Sequence, residues 1–152
     1  MALIQHNRRA PELLIAHWDR LRGKLPFPSE DDLNMDALDD LGFWEDCFIV
    51  QTRDIELEKN YNYTYIGSNI MKAYGEDLTG VSVYSFTSPS AENLALKYEE
   101  VLATRVPIAD EGEFFNARNI KVRYRQCLVP LGKDDKIETI IGAMRYKLYP
   151  GG

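Results

Sequence analysis

The sequence predicts an α+β domain in which helices lie on one face of a single five-stranded antiparallel sheet and a helical leader precedes the sheet. Two observations lead to this prediction. Apolar residues recur at helical spacing near the amino terminus and again between residues 88 and 104. Five other segments are apolar or alternate between apolar and polar residues, and short turn-like stretches join them, which indicates hairpins.

Length, composition and cysteine content limit the possible classes of protein. The chain has 152 residues with a formal net charge of −6, and 45% of them are hydrophobic, which is typical of one globular domain. No apolar run approaches the ~20 residues that span a bilayer. Met1 to Ala10 also lacks the apolar core of a signal peptide. Because two cysteines form no disulfide framework, we expect a cytoplasmic protein without membrane contacts.

The first helix is predicted between Pro11 and Leu25. Pro11 and Glu12 suit a first helical turn, and Gly23 with Pro26 ends the helix. Large apolar residues follow one another at spacings of 4, 3 and 4, so they share one face of the helix. This stripe, which we predict to be a dimer interface, consists of Leu14, Trp18, Leu21 and Leu25.

Charge is distributed unevenly along the chain. Residues 1–24 carry five bases and two acids, whereas residues 25–46 carry eight acids and no base. Solvated surfaces would explain this pattern, because exposed ion pairs contribute little. The basic leader can also pair with the acidic block, within the chain or across a dimer. Nucleic-acid binding is disfavoured, because the net charge is negative and no basic patch contains interleaved aromatic residues.

The acidic block contains a second predicted helix. Ser29 and Asp32 have the spacing of a capping box, and Leu33, Leu38 and Leu41 would face inward. The pattern changes after Gly42, so we predict a helical leader at residues 1–42 and a core at residues 43–149, within a single domain.

Two strands and two helices are predicted next. Cys47–Thr52 is apolar and β-branched, and Tyr61–Tyr65 alternates with polar residues, which predicts a hairpin. Gly67–Tyr74 is a short predicted helix, and Gly75 suits a left-handed cap. A longer helix, Ser88–Thr104, begins with a good N-cap and a proline. Its apolar face consists of Leu94, Tyr98, Val101 and Leu102.

Three further strands complete the predicted sheet. Pro107–Phe115 shows the weakest pattern, and Ile120–Leu131 begins with strict alternation of apolar and basic residues. Ile140–Leu148 also alternates, and Lys133–Lys136 is a turn. The last four residues are predicted to be a frayed tail.

This order of elements resembles the PAS domain superfamily. The run Tyr65–Gly80 is similar to the PAS segment in which a strand leads to a short helix, a glycine, an acidic-leucine pair and a second glycine. Trp18 and the run Leu21–Ser29 resemble the leader of bacterial stand-alone PAS proteins, which carries a Trp, a Leu-Arg-Gly and a Pro-x-Pro-Ser. The resemblance covers about residues 14–148 and implies strand order 2-1-5-4-3.

The resemblance implies a sensory or regulatory domain that binds a small ligand, a protein partner or both, and signals through dimer contacts. Haem-binding members need an axial histidine in or after the long helix, and residues 81–152 contain none. Photoactive flavin members need a cysteine in a short helix after the second strand, whereas Cys47 and Cys127 fall in strands. Haem and photoactive flavin are therefore disfavoured, and no cofactor is predicted. No output domain accompanies the predicted core, so any signal would pass through a partner.

No metal site is predicted. His6 and His17 lie 11 residues apart without further ligands at suitable spacing. The acids between residues 30 and 40 do not follow the order of an EF-hand loop.

No catalytic residue is predicted either. Cys47 and Cys127 could approach one another in neighbouring strands, and buried free thiols are the usual outcome in a cytosolic protein. Gly75 and Gly80 lack the spacing and the lysine of a phosphate-binding loop, so turn glycines are the better interpretation.

A ligand cavity is predicted between the sheet and the Ser88–Thr104 helix. Tyrosines occur on several elements that would surround it, and a polar ligand would supply partners for their hydroxyls. Core packing with the hydroxyls at the rim is the alternative. The predicted lining residues are Tyr65, Tyr74, Tyr98, Tyr124 and Met144.

A homodimer is predicted because the leader helix is too short to cover a five-stranded sheet. We expect residues such as Phe48 and Val50 to remain exposed beside it and a second copy to cover them. A monomer whose leader covers the patch alone is the alternative. Two other functions also stay open: a ligand-free scaffolding domain, and a small isomerase or hydrolase using the same cavity.

Overall fold

The computed structural model describes residues 9–32, 42–55, 58–77, 79–80 and 90–150. In these ranges the chain forms α1 (Ala10–Arg22), β1 (Cys47–Ile55), β2 (Glu58–Ile66), α2 (Ser68–Tyr74), α3 (Ser90–Thr104), β3 (Ile108–Phe115), β4 (Lys121–Lys133) and β5 (Lys136–Tyr149). Short 3-10 turns occupy Glu30–Asp32 and Trp44–Asp46. No helix in the described ranges is long and apolar enough to cross a membrane.

The five strands form one antiparallel sheet in the order β2-β1-β5-β4-β3, which confirms the predicted fold class. A tight hairpin joins the two longest strands, because Lys133 pairs with Lys136. The intervening Asp134 and Asp135 have φ values of 52° and 67°, as a type I′ turn requires. Gly75 ends α2 with φ 77°, the left-handed cap that its position predicts.

One side of the sheet packs against α2 and α3; we call it the helix side. Its core is rich in aromatic residues, and Gly142 makes room for one of them. A Cβ at Gly142 would lie 2.1 Å from Cζ of Phe48, its partner in β1, so glycine is required there. The buried residues of this core are Phe48, Val50, Tyr61, Tyr63, Ile66, Ile70, Ala73, Tyr74, Tyr98, Val101, Val122, Leu128, Ile140, Met144 and Tyr146.

The opposite side, the α1 side, has a second core. Trp18 is buried there, and its indole Nε1 donates a hydrogen bond to the carbonyl oxygen of Pro130 at 2.7 Å. The buried residues of this core are Ala10, Leu14, Trp18, Phe27, Phe43, Cys47, Cys127, Val129, Leu131, Ile137, Ile141 and Ala143. Helix α1 therefore packs against the sheet of its own chain.

The expected exposed patch at Phe48 and Val50 is wrong. Both side chains are fully buried on the helix side, and Cys47 and Ile49 face the α1 side instead. The segment Cys47–Val50 is apolar at every position, so alternation does not show which residues face which side.

Two predicted helical features lie partly or wholly outside the described residues. The backbone N–H of Ser29 donates to Asp32 Oδ2 at 3.0 Å, as a capping box would predict, but Leu33, Leu38 and Leu41 are not described. The predicted start of the long helix at Ser88 and Pro89 is not described either.

Candidate functional site

The helix side contains a group of buried tyrosines, which we call the tyrosine cluster: Tyr61, Tyr63, Tyr74, Tyr98 and Tyr146. The hydroxyls of Tyr63 on β2 and Tyr98 on α3 lie 2.7 Å apart. The Tyr74 hydroxyl on α2 is hydrogen-bonded to Tyr63 as well. Three elements thus meet at three hydroxyls inside an otherwise apolar core.

These hydroxyls are held in the neutral form. Burial raises the pKa of Tyr63, Tyr74 and Tyr98 well above the ordinary value, and the neighbouring hydroxyls add to the effect in Tyr63 and Tyr74. The cluster therefore offers O–H donors and oxygen acceptors near neutral pH, and no charge.

A polar group adjoins the cluster where β3, β4 and α3 meet. The Tyr124 hydroxyl and the Gln126 side-chain amide both donate to Asp110 Oδ2, at 3.0 and 3.1 Å. Lys97 Nζ on α3 lies 3.9 Å from Asp110 Oδ1. The Asp110 charge also raises the pKa of Tyr74, Tyr98 and Tyr124, although burial contributes most. The two groups are therefore close enough to interact electrostatically.

Gln126 is the least satisfied member of this polar group. Its side chain is 2% exposed, and its Oε1 accepts no hydrogen bond from the described residues. A buried acceptor without a partner costs about 1–3 kcal/mol, so proteins rarely leave one unused. Our sequence prediction missed Gln126, although it lies on the same side of its strand as Val122 and Tyr124.

The far end of the cluster lies where α2 meets the sheet. Tyr146 donates to the backbone carbonyl of Asn69 at 2.6 Å, and Asn69 Nδ2 donates to Asp46 Oδ1 at 2.8 Å. Asn69 and Asp46 are both buried. This chain of bonds fixes the start of α2 relative to β5.

Four of the five predicted lining residues lie on the helix side. Tyr74, Tyr98 and Met144 are buried in its core, and Tyr124 packs against that core. Tyr65 lies elsewhere: its ring stacks on Trp44 at 4.2 Å, and its hydroxyl donates to the Trp44 carbonyl. A bulge is the cause, because Ile49 pairs with Tyr65 whereas the next β1 residue, Val50, pairs with Tyr63.

The predicted dimer stripe divides into two parts. Leu14 and Trp18 are buried in the α1-side core, whereas Leu21 is half-buried and Leu25 is 57% exposed. Only the carboxyl-terminal part of the stripe is thus accessible to another molecule.

The cysteines lie on the α1 side and are separated by a strand. Cys47 and Cys127 both pair with Ala143 of β5, from opposite sides. The predicted approach in neighbouring strands is therefore wrong, because two strand spacings place the Cα atoms about 10 Å apart, too far for a disulfide. Burial raises the pKa of Cys127 to about 12 and that of Cys47 well above its usual value. Neither thiol is activated as a nucleophile.

Histidine and metal chemistry have little support in the described ranges. His17 is half-buried on α1, and burial followed by the Arg20 charge lowers its pKa. His6 is not described. Among the residues that are, no group of three potential ligands is placed to hold a metal ion.

Comparison with known proteins agrees with the strand order. A family model described as PAS domain matches residues 6–145. No curated protein matches the chain. The Rhodobacter sphaeroides LOV protein is similar in structure, with a TM-score of 0.52 at 10% identity, covering 69% of this chain and 60% of that chain. A light-oxygen-voltage domain described with a flavin analogue is also similar, with a TM-score of 0.54 at 9% identity, covering 74% of this chain and 82% of that chain.

VqmA of Vibrio cholera, in a complex with ligand and DNA, is also similar, with a TM-score of 0.53 at 14% identity. The match covers 75% of this chain and 51% of that chain. At such identities these likenesses show the fold alone. The family model, by contrast, spans most of the sequence, and the chain therefore belongs to the PAS domain family.

Proposed function

We propose that this PAS domain is a sensor that binds a small polar molecule between the sheet and α3, beside the tyrosine cluster. The observation that carries the proposal is the buried Oε1 of Gln126, which accepts no hydrogen bond within the part of the chain that the structure describes. Its amide is already held by Asp110, so the carbonyl is oriented and free to accept. A ligand N–H or O–H would recover the free energy that the orphaned acceptor costs.

The neighbouring groups define the chemistry of the ligand. The tyrosine hydroxyls are neutral, and the nearest carboxylate, Asp110, accepts hydrogen bonds from Tyr124 and Gln126. A neutral molecule with several hydrogen-bond donors and an apolar body suits this environment. Both described thiols, Cys47 and Cys127, lie on the opposite side, so the ligand would be held reversibly and not as a cysteine adduct.

Native mass spectrometry of freshly purified protein tests the proposal. We expect a bound small mass in the wild type and its loss in Gln126→Leu. Thr139→Val is the matched control. The Thr139 hydroxyl is also buried and has no hydrogen-bond partner among the described residues, but Thr139 lies on the α1 side of β5 with Ile137 and Ile141. A ligand-free wild type would favour the scaffolding alternative, and equal loss in both variants would show that the bound mass does not depend on Gln126.

We also propose that the sensor is a homodimer that signals to a protein partner in the cytoplasm, with a leader at residues 1–42 and a core at residues 43–149. The exposed Leu25, just beyond α1, is the part of the predicted stripe that supports contact with a second copy. Sedimentation of Leu25→Asn tests this contact. Leu96→Asn on α3 is the control, because Leu96 is equally exposed at 60%. A monomeric wild type at micromolar concentration would refute the dimer.

A further inference from the structure

The α1 side of the sheet continues beyond the amino-terminal end of α1 as three cross-strand rows, of which two are fully charged and the third contains one lysine. The border is marked by Pro11, whose carbonyl accepts a hydrogen bond from Cys127 Sγ at 3.1 Å. Each row takes one residue from β3, β4 and β5 in turn. The rows are Glu111–Arg125–Arg145, Glu113–Arg123–Lys147 and Phe115–Lys121–Tyr149. We call this surface the charged face.

The charged face forms the floor of a groove. Two surface cavities of about 560 and 570 Å³ share Glu111, Arg125 and Arg145 and so join end to end. Pro11, Glu12 and Ile15 of α1 line one end, and Tyr149 lies at the other. Helix α1 occupies the layer above the sheet up to this border, so it forms a wall at one end of the groove, and sheet residues form the rest of the lining.

The floor of the groove carries unpaired positive charge. Arg125 pairs with Glu111 at 3.0 Å, and Lys121 pairs with Glu113 at 3.1 Å. In the described ranges no acid lies within ion-pair distance of Arg123, Arg145 or Lys147. A local cationic surface on a chain of net charge −6 favours an acidic occupant.

The spacing of these cations fits an acidic helix. Arg145 and Lys147 are two residues apart on one strand, or about 7 Å, and Arg123 lies about 5 Å from Lys147 across the sheet. Acids at positions i and i+4 of a helix are about 6 Å apart. We therefore propose that the groove binds an acidic helical segment of a partner protein, which would extend the layer of α1. Residues 1–8, the nearest chain segment by sequence, contain no acid and are a poorer match.

A binding measurement with a synthetic helical peptide tests this inference. The probe carries glutamates at i, i+4 spacing and a fluorophore, and a glutamine version serves as the peptide control. We expect the triple variant R123Q/R145Q/K147Q to bind the acidic peptide about tenfold more weakly than the wild type, because each exposed ion pair contributes a few-fold. The control K24Q/K72Q/K136Q removes the same charge from exposed positions elsewhere and should bind like the wild type.

Several outcomes would overturn the inference. Equal loss in both triple variants would show a net-charge effect, and displacement of the peptide by micromolar pyrophosphate would show a small-anion site. A wild-type dimer that the R123Q/R145Q/K147Q variant dissociates would assign the groove to a second copy. Tighter binding after deletion of residues 2–8 would show that the leader already occupies it. The triple variants leave Gln126 unchanged, so the small-ligand proposal is tested separately by Gln126→Leu.

Discussion

Replacing Trp18 tests whether α1 is an internal part of the fold. The side chain is 6% exposed, and its indole donates to the Pro130 carbonyl across the α1-side core. Truncating a buried Trp to Ala costs about 3–5 kcal/mol. Trp18→Phe keeps most of the apolar volume and removes the hydrogen bond, so it should cost about 1–3 kcal/mol.

Urea unfolding followed by far-UV circular dichroism measures both free energies, and sedimentation reports the oligomeric state of each variant. Leu96→Ala on α3 is the matched control, because Leu96 is 60% exposed and its truncation should change stability by less than about 0.5 kcal/mol. A loss below about 1 kcal/mol in Trp18→Ala, or a loss in Leu96→Ala as large as that in Trp18→Ala, would refute the packing of α1 on its own sheet.

Three further predictions concern the buried hydroxyls and thiols. Tyr98→Phe should cost about 1 kcal/mol through the lost bond to Tyr63, whereas Tyr149→Phe at an exposed position should cost almost nothing in the same unfolding assay. Stability should fall as the pH rises above about 9, because the unfolded chain releases first thiol protons and then tyrosine protons that the folded core retains. The slope is about 1.4 kcal/mol per pH unit for each group, and a flat profile in alkaline urea titrations would contradict burial. Cys47 and Cys127 should react with a thiol reagent only at the rate of unfolding, and rapid reaction of the native protein at pH 8 would contradict their placement.

The local residue pattern predicted the helices, strands and turns well, because each is marked by residues within it or next to it. The turn at Asp134 and Asp135, the cap at Gly75 and the alternation in β5 all depend on neighbouring residues. Strand order came from the family resemblance, since no local pattern specifies which strands pair. The structure confirms that order.

The side of the sheet that a side chain faces was harder to predict wherever a strand is apolar on both sides or contains a bulge. The first four residues of β1 are all apolar, so their pattern does not show that Phe48 faces the helix side, and the expected exposure of Phe48 was wrong. The bulge opposite Ile49 reverses the orientation of Tyr65, and no residue in the sequence marks it. The partnership of Gln126 with Asp110 joins two strands and depends on register, which pattern alone does not supply.

Electron density around Gln126 tests the central claim most directly. An experimental structure of protein purified from cells without refolding should show a small molecule between the sheet and α3, with a donor atom within about 3 Å of Gln126 Oε1. A core closed by protein atoms, or a single ordered water bonded to Gln126, would contradict the claim that this PAS domain senses a small polar ligand at that site.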